Sequence, residues 1–208
     1  MSAAMAYATI GDMRVTFQRI PDHQRGFALV ERDDGVTYRL DGGPVTAHLP
    51  HDLVHFTVER TLGIADGIWG SIAAGVVFRS MHHHSGRRQP HAADRSAALI
   101  RANRDRLQRA ELIGGFVERV AETPGATPAS IGRFARLYLA NLPGDQLHLD
   151  RVPAAAAALR TAADRWRALA IGDELTVEWP ARLRPPTAAA TGVGATRARV
   201  APRRRASR

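Results

Sequence analysis

The chain has no cysteine, no lysine, and no acidic residue beyond Glu178. Without cysteine there are no disulfides, no thiolate nucleophile, no cysteine-ligated zinc and no iron–sulfur cluster. Any metal must be held by imidazole and carboxylate. No apolar run reaches the roughly 18 residues that a membrane-spanning helix needs, so no membrane partner is expected. The opening residues, MSAAMAYATIGDMRV, place no basic segment ahead of an apolar one and do not read as a secretion signal. A soluble cytoplasmic protein is the expectation. All 29 basic residues are arginine, which together with the abundant alanine matches the codon bias of a GC-rich bacterial genome.

What is present suits one domain. At 208 residues, 45% of them hydrophobic, the chain can bury a core without covalent staples. The formal net charge of +9 is local. Eight arginines fall at 182, 184, 197, 199, 203, 204, 205 and 208, while the residues before them are almost neutral. Residues 1–183 therefore read as a single globular domain. Residues 184–208, rich in arginine, proline, glycine and alanine, read as a disordered basic tail. Such a tail can bind nucleic acid weakly and without sequence preference, through phosphates. It carries no interleaved aromatics to stack bases, so a plain solubilising tail is the alternative.

The patterning predicts an α+β fold. MRVTFQRI (13–20), RGFALVER (25–32) and GVTYRL (35–40) alternate as strands, with Asp33-Asp34-Gly35 as a hairpin turn and residues 41–44 as the loop that ends the meander. A helix runs from Pro50 to Gly63, and a short one over 66–78 begins at Asp66. Residues 80–94 read as an exposed, histidine-rich loop. One long helix follows, with Ile100, Leu107, Ala110, Ile113, Val117 and Val120 on one face and a break or bend at Gly114-Gly115. Thr127-Pro128 opens another helix, which Pro143-Gly144 closes. A further helix covers 153–172, and DELTVEWP (173–180) reads as a last strand rejoining the sheet. The expected architecture is a small antiparallel sheet, three N-terminal strands plus one C-terminal strand, packed on one face by four or five helices.

The segment LPHDLVHFTVERTLG (49–63) carries the chemistry. On a helical wheel His51, Asp52, His55 and Glu59 share a sector of roughly 100°. Val54, Val58 and Leu62 flank it on one side and Leu53 and Phe56 on the other, with Arg60 the one interruption. A helix that is apolar on both sides of a narrow polar strip is wedged into a core, with the strip facing a cleft or a neighbouring element. Histidines at i and i+4 stack on one face and can converge on one ion. Glu59, two turns past His51, could complete the ligands or orient His55 through its ring N–H. In HExxH zinc peptidases the residue after the first histidine is a glutamate acting as general base. Here Asp52 stands there, one methylene shorter, which argues against peptidase chemistry.

His51-Asp52-x-x-His55 is similar to the HDxxH zinc motif of the coenzyme Q biosynthesis proteins. That likeness covers about 16 residues and implies a later acidic ligand, for which Asp66 is the candidate. Those proteins are nearly all helical, whereas this chain begins with a sheet. More broadly, LPHDLVHFTVERTLGIADGIWGSIAAG together with RWRALAIGDELTVEWP resembles a family of uncharacterised proteins from high-GC bacteria. They share a PHDLVH…VE block and a C-terminal RWRAL…VEWP block. That resemblance spans most of residues 13–180 and supports a domain boundary more than any function.

Other candidates are weaker. His82, His83, His84 and His91 read as a solvated loop, from which one histidine could supply a third ligand. Arg87 and Arg88 could meet a phosphate or carboxylate on a substrate. Arg101, Arg104, Arg106 and Arg109 read as a solvated helix face, partly paired with Asp105 and Glu111. Trp69, Trp166 and Trp179 read as core, and His148 and Asp150 as loop residues.

Two functional readings follow. One is a metal-dependent hydrolase or lyase acting on a small molecule. His51 and His55 would hold zinc or another divalent ion, Glu59 or Asp66 would be the third ligand, and Asp52 an orienting group or weak base. The other is a non-catalytic interaction or nucleic-acid-associated protein in which the same strip is a hydrogen-bonded polar network.

Overall fold

β1 (Met13–Gln18) buries Met13, Val15 and Phe17 and turns Arg14, Thr16 and Gln18 away from the core. This period of two repeats in β2 (Arg25–Glu31) and the first half of β3 (Thr37–Pro44). In the computed structural model, which describes residues 11–46, 48–140 and 147–185, these strands form a five-stranded antiparallel sheet. Its order is β4-β3-β2-β1-β5, with β4 at Met81–Ser85 and β5 at Glu174–Trp179. The fold is α+β, as the sequence predicts. The last strand rejoins the first, with Val15 opposite Val177 and Met13 opposite Trp179. On the outer face the pairing is polar: Arg14 with Glu31 at 2.6 Å, Thr16 with Thr176 at 3.0 Å, and Gln18 with Glu174 at 3.3 Å. The hairpin turn forms where expected, with Gly35 at φ 75°.

Among the described residues six α-helices complete the fold: α1 (His51–Leu62), α2 (Ile68–Ala73), α3 (Ala92–Ala102), α4 (Arg104–Ala121), α5 (Pro128–Tyr138) and α6 (Val152–Ala168). Several bounds differ from expectation. β3 runs on through Asp41-Gly42-Gly43-Pro44, because a bulge between Arg25 and Phe27 lets β2 keep pairing with it. The histidine-rich segment is not wholly loop. Met81 anchors it in the core, and His82 and His83 pair beside Arg39 and Tyr38 as an edge strand. The long helix is two helices, broken at Asn103 and continuous through Gly114-Gly115. The helix predicted over 66–78 shrinks to six residues capped at Gly67. The α5 helix ends at Tyr138, and its expected stop at Pro143-Gly144 lies outside the described residues. Thr127 caps that helix in a reciprocal box with Ser130.

Two cores meet at α1. Leu53 and Phe56 join the sheet, α2 and the fully buried Trp69, Trp166 and Trp179. Val54, Val58 and Leu62 join α4, α5 and α6 through Ile113, Phe116, Val117, Ile131 and Leu159. The helix is thus wedged between two apolar masses, as its two-sided pattern predicts. Among the described residues no helix is long and apolar enough to cross a membrane. Most of the segment read as a basic tail lies outside the described residues. Its first member, Arg184, pairs with Asp33 at 2.5 Å on the β2–β3 hairpin and so belongs to the domain.

Candidate metal centre

α1 begins directly after Pro50 and ends at Gly63, whose φ of 76° lets its N–H return to the Glu59 carbonyl. The two-sided packing leaves His51 at the open end, exposed, and His55 one turn inward, only 2% exposed. Facing them is α4, where Glu111 and Gly114 lie one turn apart on the same face. Gly114 has no side chain because the His55 ring occupies that space. A Cβ built there would lie 2.5 Å from His55 Cε1 and 2.7 Å from Nδ1. Glu111, one turn earlier, then reaches over the edge of the same ring.

The contacts converge. His55 Nε2 lies 3.2 Å from His51 Nε2 and 3.1 Å from Glu111 Oε2, and His51 Nε2 lies 3.9 Å from that same oxygen. If His55 Nε2 carries the proton it can donate to Glu111. If His51 donates to His55 instead, a lone pair on His55 faces the carboxylate. A cation accepts all three lone pairs at once. All three edges are short enough for one ion to be shared by the three atoms. Among the described residues these three are the group whose ligand atoms all lie within 4.8 Å of one another, and they could hold a metal ion.

The electrostatics agree with a cation-ready cluster. Burial works against a charged His55, but the Glu111 hydrogen bond and the charges of Glu111, Glu59 and Asp52 outweigh it and raise its pKa above the ordinary histidine value. The hydrogen bond to His55 holds the Glu111 carboxyl below its usual range despite partial burial, with the charges of both histidines adding to it. Burial pushes Asp52 up, opposed by His51 and His55. Asp52 does not join the ligand triangle. With His51 and Glu111 it lines a cavity of about 580 Å³ between α1, α2 and α4, and its backbone carbonyl is fixed by the Trp69 indole N–H at 3.0 Å.

The two carboxylates predicted as third ligand are engaged elsewhere. Glu59 is 1% exposed, and its oxygens accept from the backbone N–H groups of Ile68 at 2.9 Å and Trp69 at 3.0 Å. It caps the start of α2 from another helix, the place the sequence gives to Asp66. Asp66 instead faces Arg106 at 3.4 Å. Three of the four histidines of this region face other partners: His82 pairs with Asp41, His83 bonds the Gly86 carbonyl, and His91, at the N-cap position of α3 but making no capping bond, faces Asp94 at 3.6 Å. Arg87 and Arg88 are exposed in the turn after β4 and do not line the cavity beside the triad. Glu111, read as a partner for surface arginines, is the residue that sequence reasoning missed. The available signal was Gly114 on the otherwise apolar stripe of α4, three residues after an acid.

Glu59 also sets a pH dependence. Burial raises its pKa to about 7, against the two amide hydrogen bonds that favour its charged form. A raised carboxyl stabilises the fold fully below its unfolded pKa, near 4.5, and that contribution disappears as pH rises through about 7. Metal-free protein is therefore expected to lose about 3 kcal/mol across this window relative to Glu59→Gln, which has no proton to release. Parallel stability curves for the two proteins between pH 5 and 8, by denaturant unfolding, would contradict this origin.

No protein-family model matches this chain, and neither a curated protein nor a solved structure matches it.

Proposed function

We propose that His51, His55 and Glu111 bind one divalent ion, zinc by ligand preference, and that the protein is a metal-dependent hydrolase or lyase for a small molecule held in the adjoining cavity. The observation that carries this reading is the convergence of two Nε2 atoms and one carboxylate oxygen on a single point, from two helices locked by packing. Imidazole and carboxylate suit zinc, and three protein ligands are the donor count of catalytic rather than structural zinc sites. Such an ion would activate water or polarise a carbonyl. The chain's own contribution is position. His55 is fixed between α1 and the Gly114 backbone, Glu111 orders both imidazoles, and His51 stands at the solvent side. Asp52, on the cavity wall beside His51, is placed to accept a proton from a bound water or substrate.

A second reading has its own support. His55 Nδ1 is buried and has no hydrogen-bond partner. A ligand histidine carries its proton on that nitrogen and usually donates it. A neutral ring that donates from Nε2 to Glu111 would leave Nδ1 only an unfilled acceptor, and the cluster would be a structural polar network like Glu59. Hydrolysis of a chromogenic ester, assayed with and without added zinc, separates the two. Zinc-dependent turnover that is lost in His51→Ala and kept in His82→Ala is expected. Turnover indifferent to zinc in both variants supports the network.

A further inference from the structure

The cavity beside the triad is lined by both apolar and polar side chains. Leu40 of β3, Ile68 and Ile72 of α2, Phe78 and Leu107 give it an apolar wall. Its polar lining includes His51, Asp52, Ser80 and Glu111. One cation, Arg79, stands on the lining, exposed, in the short segment between α2 and β4. No ion pair or hydrogen bond holds its guanidinium among the described residues, whereas Arg106 of α4 is held by Asp66. An arginine kept unpaired beside an apolar cleft offers a planar two-donor fork to a carboxylate.

Charge then fixes the sign of the ligand. With a divalent ion in place, its two positive charges and that of Arg79 stand against one negative charge each from Glu111 and Asp52. The cleft keeps a positive balance. Without the ion the balance is negative, so the charge argument rests on the metal reading above, whereas the Arg79 fork and the apolar wall do not.

We infer that this cleft binds a small organic carboxylate with an apolar body, and that Arg79 is the residue that recognises its carboxylate. The apolar wall takes the body of the ligand, and the volume of about 580 Å³ is within the range of small-molecule sites. The arginines singled out by sequence, Arg87 and Arg88, have no part in it.

The test uses the full chain loaded with zinc, its metal content measured on the same sample, and hexanoate as the probe with acetate and hexanol as references. Hexanoate is expected to bind at least about 10-fold tighter than acetate, from the buried methylenes. Arg79→Gln should weaken hexanoate about 10-fold or more while leaving hexanol unchanged, and the double substitution of Arg87 and Arg88 by glutamine should change neither. Leu107→Trp, which narrows the wall, should cost hexanoate more than acetate. Hexanoate binding that survives Arg79→Gln, or that equals acetate, overturns the inference even if zinc is bound. Arg79-dependent hexanoate binding on a chain that holds no zinc upholds the cleft and sinks the metal reading. Neither zinc nor hexanoate bound sinks both.

Discussion

His55→Ala is expected to lower zinc affinity by more than about 100-fold, because the loss of groups that merely orient a ligand already costs 10–100-fold. His55 is the corner shared by the two short edges of the triangle, 3.2 Å to His51 and 3.1 Å to Glu111. Without it the remaining two ligand atoms are 3.9 Å apart and one of them belongs to an exposed ring. The substitution also opens a cavity between two cores, at about 2–4 kcal/mol. Glu111→Gln therefore accompanies it. Glu111 is half exposed, so the fold should tolerate the change, while the anionic ligand is removed. Both variants should lose zinc and His84→Ala should not. Zinc affinity unchanged in Glu111→Gln would show that the carboxylate serves only as a hydrogen-bond acceptor for His55.

The second large effect is at Gly114, which has no role in sequence-level reasoning beyond a helix breaker. Gly114→Ala should destabilise the protein by about 2–3 kcal/mol, although alanine is worth nearly 1 kcal/mol more than glycine in a helix interior. The added methyl would sit 2.5 Å from His55 Cε1, and the ring has no room to retreat, being 2% exposed between packed helices. In a His55→Ala background the same change should become neutral or stabilising. The coupling read from the double-mutant cycle is expected at about 2–4 kcal/mol. Zinc affinity should fall in Gly114→Ala as well, since the methyl displaces a ligand. A Gly114→Ala protein as stable as the parent and still binding zinc tightly would contradict the packing of α4 on His55.

Where the sequence was legible, the reason is periodicity. β1, β2 and β5 each bury alternate side chains, and α1 carries apolar residues on both sides of its polar strip, so both the sheet and the wedged helix could be read in advance. A wheel projects angle and discards height. Glu59 shares the angle of His51 and His55 but lies toward the far end of α1, where α2 begins, so it caps that helix instead of joining the histidines. The third carboxylate comes from α4, and a contact between helices distant in the chain leaves no mark on local spacing. Gly114-Gly115 looks like a break or bend from propensity alone, yet α4 runs unbroken through it, and Gly114 answers to a tertiary neighbour. Met81 is the single buried residue of β4, too little alternation to reveal a strand among three histidines.

Equilibrium dialysis of the tagless, EDTA-stripped protein against zinc, with bound metal counted per chain, tests the account most directly. One zinc per chain, at micromolar or tighter affinity and lost in Glu111→Gln, is the predicted result. A wild-type chain that returns from dialysis with no zinc, or with the same zinc as Glu111→Gln, would contradict it and leave His51, His55 and Glu111 as a polar network.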